Sequence, residues 1–247
     1  MSFKEREISI LDYLREHKEA SVAELCHALF VSEPTMRRDL STLNTEGKII
    51  RTYGGAAYRN MPGENLPQAY REREHSDAKA VIGKKCLSLI RDGDTVMVDA
   101  SSTALALLRV IEAKKSIVVI TNSAKAPLAL AESGVRTFVT GGELAANTYA
   151  YVGSHAEDFM RAYNADICFF SVRTLTEDGA LTDNAIAENA VRKIMLARAK
   201  KKVLMLGSQK IGAPCISTLC TLDDVTHVVC ECDISDRFPA AVREKFI

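Results

Sequence analysis

Six short, continuously apolar runs interleaved with helix-like stretches constrain this chain more than anything else in it. From residue 95 onward TVMVD, SIVVIT, RTFVTGG, DICFFS, KVLMLG and THVVCE read as strands, while TALALLRVIEA, APLALAES, HAEDFMRAY and AENAVRKIMLARA read as helices. Strands that are apolar on both faces must be covered on both, and strands joined through helices run parallel. The expected fold is therefore α/β, with a mostly parallel sheet between helices. At 247 residues and 47% hydrophobic, the chain is long enough for one large domain or two unequal ones.

The first sixty residues follow a helical period instead. Ile8, Leu11 and Leu14, with Ile10 beside them, place an apolar stripe on a helix from about Lys4 to His17. Ser21-Val-Ala-Glu24 is a capping box that opens a second helix of about two turns, carrying Val22, Leu25 and Leu29. Ser32 offers another N-cap, and Pro34 is tolerated because first-turn amides have no intrahelical partner to lose. A third helix then runs to about Asn44. At about 100° per residue, Met36, Leu40 and Leu43 share one side and Arg38 falls almost opposite. Pro34, Ser41 and Thr42 share the outward face, with Thr35 and Arg37 on its flanks. Gly47 closes the helical region, and Lys48 to Tyr58 reads as a hairpin turning at Gly54-Gly55.

Charge is divided along this segment. The chain as a whole is neutral, so only a local patch can attract a polyanion. From Arg37 to Arg59, five basic side chains oppose Asp39 and Glu46, whereas from Met1 to Met36 four basic side chains face seven acidic ones. Arginine donates paired hydrogen bonds to guanine or phosphate, and threonine meets a phosphate or a thymine methyl. Ser32, Thr35, Arg37, Arg38 and Thr42 on the helix, with Arg51 and Tyr53 on the hairpin, are the candidate DNA contacts. Two adjacent arginines alone are more often a solvated helix face. Three helices followed by a basic hairpin, however, form the order of a winged helix-turn-helix.

The stretch EREISILDYLREHKEASVAELCHALFVSEPTMRRDLSTLNTEGKIIRTYGGA resembles the DNA-binding domain of the DeoR family of bacterial transcriptional regulators. V-S-x-x-T-M-R-R-D-L and the closing R-T-Y-G-G-A are its most specific parts. The resemblance implies a regulator, of repressor type, on double-stranded operator DNA. A single winged helix buries little surface, so a symmetric homo-oligomer, dimer or tetramer, is expected. The DNA-binding domain is assigned to residues 1–59. NMPGENLPQAYREREH, with Pro62, Gly63 and Pro67 among charges, reads as a tether over 60–75, and 76–247 is the larger domain.

In open parallel sheets ligands sit beyond the carboxyl ends of the strands. The polar residues of the larger domain gather there. VMVDASSTA ends a strand at Asp99 and enters a helix through Ser101, Ser102 and Thr103, which suits a phosphate. VVITNSAKA repeats the arrangement with Thr121, Asn122 and Ser123, and FVTGGEL ends a strand at Gly141-Gly142, where backbone approaches a ligand closely. Each alone is also an ordinary N-cap or turn; together they favour a phosphorylated small molecule.

This region also resembles the DeoR family, whose sensor domain is similar in fold to ribose-5-phosphate isomerase and glucosamine-6-phosphate deaminase. The resemblance covers nearly all of Lys79 to Leu206 and implies a phosphorylated sugar, or a similar small anionic metabolite, as effector in carbohydrate metabolism. The family's D-x-G-T-T loop stands here as Asp99-Ala-Ser-Ser-Thr103, its T-N-S as Thr121-Asn-Ser123 and its G-G-x-L as Gly141-Gly-Glu-Leu144. In place of a G-A-D-G-I-like stretch and a D-S-S-K segment, the chain carries FFSVRTL and GSQK. Arg173 and Thr174 thus replace a small acidic loop, and Lys210 is kept while Gly207 replaces the preceding acid. An added cation favours a more anionic ligand. Glu188 either faces this cleft or pairs with Arg192 one turn on.

Other chemistry has weaker support. Seven scattered cysteines without paired C-x-x-C spacing fit a reducing cytoplasm, and Cys230-Glu-Cys232 reads as buried or edge-strand thiols rather than a metal site. His155 and His227 are isolated, so no catalytic residue, metal or cofactor is assigned. An isomerase or deaminase with an N-terminal appendage is the rival reading. It needs a carboxylate base where SVRTL supplies arginine. TALALLRVI is broken by Arg109 before it could span a bilayer, and no membrane association is expected.

Overall fold

A computed structural model describes residues 2–46, 48–58 and 68–247; the side chains of residues 69 and 70 fall outside that description. The chain divides into two compact units, Met1–Pro62 and Gly63–Ile247. The helix stop read at Gly47, and residues 59–67 with the first half of the expected tether, lie outside the described residues.

In the smaller unit α1 (Phe3–His17), α2 (Val22–Leu29) and α3 (Glu33–Thr45) surround a three-stranded sheet of β1 (Glu19–Ser21), β2 (Ile49–Thr52) and β3 (Gly55–Tyr58). Ser21 Oγ accepts from Glu24 N at 3.2 Å and Ser21 N donates to Glu24 Oε2 at 2.7 Å, the capping box the sequence contains. Met36, Leu40 and Leu43 are fully buried with Ile10, Leu14 and Leu25, each contributing about 1.5–3 kcal/mol of apolar burial. Asp39 lies on the inner side of α3, where Arg6 of α1 grips it through Nε at 2.5 Å and Nη2 at 3.1 Å. β1 is a strand the periodicity does not announce. It pairs Ala20 with Ala56 on the open edge of β3. The two hairpin glycines differ in cause: Gly54 has φ +83° in the turn, whereas a Cβ on Gly55 would stand 2.2 Å from Ala20 O.

The larger unit begins with α4 (Gln68–Arg73) and α5 (Ser76–Leu87). The tether expected over 60–75 therefore holds a helix in its second half. Gln68 N donates to Asn147 O at 2.8 Å, and the Glu72 carboxylate pairs with Lys125. A parallel sheet follows, built from β4 (Thr95–Val98), β5 (Val118–Thr121), β6 (Arg136–Val139), β9 (Ala165–Phe170), β12 (Ala199–Met205) and β14 (His227–Val229), in the order β14-β12-β9-β4-β5-β6. All six are the apolar runs identified above. Between them lie α6 (Ser102–Leu108), α7 (Ala126–Leu130), a ribbon of β7 (Glu143–Ala145) and β8 (Ala150–Val152), and α8 (Ser154–Arg161). β10 (Thr174–Leu175), β11 (Ala180–Asp183) and β13 (Ser217–Thr221) form a second, antiparallel sheet, and α9 (Ile186–Arg198) precedes β12. Alternate residues of each strand face opposite cores. Val96 and Val98 pack with Ile82, Leu107 and Leu130 of α5 to α7, while Met97 packs with Met160 of α8 and Met195 of α9.

The strand order reverses direction between β4 and β9. There two neighbouring crossovers leave in opposite senses and open a crevice at the carboxyl ends.

Candidate functional site

The outward face of α3 carries what its period predicted. Arg38 is exposed, opposite the buried Met36, Leu40 and Leu43, and its guanidinium has no partner among the described residues. Arg37 is also exposed but bridges back to Glu33, Nε to Oε1 at 2.8 Å and Nη2 to Oε1 at 2.5 Å. Ser32 occupies the N-cap position without capping an amide; its Oγ lies 3.0 Å from Thr35 Oγ1. Thr42 commits its hydroxyl proton to Arg38 O at 3.1 Å, so it retains acceptor capacity and its methyl for a partner. Across the turn, Asn44 Oδ1 accepts from Arg51 N at 3.1 Å and ties the hairpin to the end of α3. Tyr53 projects fully into solvent, whereas Arg51 is half-buried, with Nη1 enclosed and without a partner. Phe30, at 95% exposure and φ +53° in the turn before α3, is a surface aromatic the sequence reading did not single out.

At the carboxyl edge of the large sheet the polar residues meet, but several are engaged with one another. Asp99 is 1% exposed: Oδ1 accepts from Ser101 N at 3.0 Å, and Oδ2 accepts from Ser171 N at 3.2 Å and Arg192 Nε at 2.9 Å. Arg192 also donates to Asp183 Oδ2 at 3.1 Å and Glu188 Oε2 at 3.0 Å. Burial opposes the guanidinium charge, but the surrounding Asp99, Glu188 and Asp183 more than offset it, and its pKa is raised. Asp99, expected as a free ligand group, is thus a member of a buried ionic network, and of the two readings of Glu188 the structure shows the pair with Arg192 one turn on. Ser101 likewise is the N-cap of α6, accepting from Ala104 N at 3.1 Å.

The remaining residues surround this network. Ser102 and Thr103 are buried behind Ser101, and Thr121, Asn122 and Ser123 are buried at the end of β5. Thr121 Oγ1 accepts from Ser123 N at 3.0 Å, which holds the loop in place. Gly141 and Gly142 are exposed at the end of β6. Gly142 is required by packing, because with φ +118° a Cβ would meet Val152 O at 2.6 Å. From the β9 and β12 ends come Arg173, half-buried and without a partner among the described residues, and Lys210, whose ammonium turns inward to Ser171 Oγ at 2.8 Å and Val172 O at 2.9 Å. Burial, reinforced by the positive charges of Arg71 and Lys79, pushes the Lys210 pKa down to about 8. Lys79 is buried on the carbonyls of Arg71 and Glu74, and burial lowers it to about 8 as well. Beside the network, Asn147, Thr148, Val152, Ile186 and Glu188 help line a depression of about 310 Å³. Asp183, Ser171, Gln68 and Lys79 were not identified from sequence. A buried lysine leaves no periodic signal distinguishing it from a solvated one.

Cys230, Glu231 and Cys232 bring their ligand atoms within 4.8 Å of one another, but Glu231 is engaged by Ser208 N at 3.1 Å and Ser208 Oγ at 2.5 Å. No metal is assigned there. No helix among the described residues is long and apolar enough to cross a membrane.

Comparison with known proteins agrees with both halves of this arrangement. Residues 6–61 match the DeoR-like helix-turn-helix domain and residues 74–231 the DeoR C terminal sensor domain. The L-fucose operon activator of Escherichia coli K12 is 30% identical over 227 residues, covering 91% of this chain and 93% of the activator. The HTH-type transcriptional repressor GlcR of Bacillus subtilis strain 168 is 29% identical over 242 residues, covering 95% and 93%. A solved ribose 5-phosphate isomerase from Methanocaldococcus jannaschii superposes with a TM-score of 0.43 at 17% identity, covering 56% of this chain and 55% of that one. With an exposed arginine helix at one end and a matched sensor domain over most of the remainder, the chain belongs to the DeoR family and is a DNA-binding transcriptional regulator rather than an enzyme.

Proposed function

We propose that this regulator is a repressor of a carbohydrate-metabolism operon, and that a phosphorylated sugar or similar anionic metabolite lowers its operator affinity. The observation that carries the DNA half is Arg38: exposed, unpaired and opposite a fully buried stripe, it is held ready to enter a major groove. Ser32, Thr35, Arg37 and Thr42 flank it, and Arg51 and Tyr53 on the hairpin reach backbone or minor groove. The chain acts as a homo-oligomer, so that two such helices read related half-sites.

The effector half rests on the carboxyl edge of the sheet. Arg173 and Lys210 supply positive charge there, and the hydroxyls of Ser102, Thr103, Thr121 and Ser123 with Asn122 line neighbouring strand ends. The Asp99–Arg192–Glu188 network holds those loops in place. Release of DNA requires the effector to bind the operator-free state more tightly than the bound one. Bound duplexes selected from a random library would supply an operator, on which wild type and Arg38→Ala are then compared with and without sugar phosphates. Loss of affinity in the variant, and release of the wild type by at least one sugar phosphate, are expected. A duplex bound equally by both proteins would reject the role of Arg38.

A further inference from the structure

Three buried side-chain oxygens along this edge have no hydrogen-bond partner among the described residues: Gln68 Oε1, Asn122 Oδ1 and Thr140 Oγ1. Their residues are at most 3% exposed. They gather at the ends of three adjacent strands, Gln68 reaching there from α4. Gln68 is bonded to Ala100, two positions past β4; Asn122 directly follows β5; and Thr140 directly follows β6, its N donating to Thr121 O at 3.0 Å. Adjacent strands stand about 4.8 Å apart, so the row spans the width of a small sugar.

The orientation of both amides is set by their partners. Gln68 Nε2 donates to Ala100 O at 3.1 Å and Asn122 Nδ2 to Tyr151 O at 3.2 Å, and a carbonyl can only accept. Each amide therefore keeps its oxygen as a buried acceptor, and a buried acceptor without a donor is costly to leave unmatched. The phosphoryl group of a sugar phosphate, a dianion with only acceptor oxygens above about pH 7, cannot supply that donor. A hydroxylated chain can, and so can an ammonium.

We infer that Gln68, Asn122 and Thr140 form the subsite for the hydrogen-donating end of the effector, a polyol or amino-sugar tail, with its anionic end toward Arg173 and Lys210. The inference rests on the effector reading above and deepens it. The ligand lies across the switch point, its anion over β9 and β12 and its hydroxyls over β4, β5 and β6. Gln68 belongs to α4, only ten positions in sequence beyond the last residue of the β2–β3 hairpin.

Calorimetric titration of the full-length protein with inorganic phosphate, ribose 5-phosphate, glucose 6-phosphate and glucosamine 6-phosphate tests it. At least one sugar phosphate is expected to bind more tightly than inorganic phosphate. Gln68→Met and Thr140→Val are each expected to erode that margin roughly three- to tenfold and leave inorganic phosphate unchanged. Thr140→Val is close to isosteric, so it decides the matter even where Gln68→Met perturbs folding. The glucose and glucosamine pair separates a hydroxyl from an ammonium donor. A margin that survives both substitutions, or no margin for any sugar, overturns the subsite while leaving anion binding intact. If wild type binds none of the four, the effector reading itself falls and the subsite falls with it.

Discussion

The outward face of α3 and the carboxyl edge of the large sheet both concentrate arginine and hydroxyl groups, yet they handle charge in opposite ways. Arg38 is exposed and without a partner among the described residues, so its charge is left free for a partner from outside the molecule. Arg192 is 3% exposed and surrounded by Asp99, Asp183 and Glu188, so its partners are already present. A surface that meets a polyanion benefits from charges left free, because phosphate contacts need little prior order. A cleft for a small ligand needs its loops fixed beforehand, and a buried ionic network fixes them through geometry. The contrast predicts that arginines of the first kind affect binding, and arginines of the second kind affect folding.

The largest expected effect follows from breaking the network. Arg192→Met leaves three buried carboxylates without their common cation and should destabilise the larger unit by about 3–5 kcal/mol, measured by urea unfolding. A loss under 1 kcal/mol would mean that the carboxylates are compensated elsewhere. Next is Arg38→Ala, expected to weaken operator binding by about 1–3 kcal/mol without lowering the melting temperature. A drop in stability of the same size would erase the distinction between the two arginines.

A smaller effect should appear with pH. Lys79 and Lys210 are charged below about pH 8 and neutral above it. Affinity for sulfate, whose own charge is constant there, should fall by about tenfold between pH 7 and pH 9. Stability should move the other way. These folded-state pKa values lie below the ordinary 10.5, so the penalty for burying each ammonium is relieved as pH climbs from about 8. Sulfate affinity and chemical stability falling together would contradict that sign. Smallest of all, Arg37→Ala should cost operator binding less than Arg38→Ala, because Arg37 must first leave Glu33, an exposed pair worth about 0.2–1 kcal/mol. Equal losses in anisotropy titrations would show that the pair does not restrain Arg37.

The six strands of the parallel sheet were legible because each is a continuous apolar run, and the stripe on α3 because Met36, Leu40 and Leu43 recur at the helical period. The elements missed lack such a signal. β1 is Glu-Ala-Ser, a strand only because β3 offers an open edge. α4 is six residues long and amphipathic to no clear period, and α5 buries Lys79 while bringing Gly83 against Ala106, where a Cβ would stand 2.9 Å away. At the cleft, Asp99 and Asn122 were correctly placed at strand ends. Which of them turns inward was not readable, since that depends on Arg192 from a helix 93 positions away.

What the chain determines by itself is local: a capping box at Ser21 and Glu24, a buried Met36–Leu40–Leu43 stripe that forces Arg38 outward, and strands too apolar to face water. These follow from periodicity and backbone hydrogen bonding, which act over a few residues. Only the tertiary structure decided that Asp99 and Glu188 neutralise Arg192 and that Gln68 reaches over the β4 end with an unmatched oxygen. Burial and pairing of charge depend on groups far apart in sequence, because a buried ion is tolerable only when a partner arrives from another element.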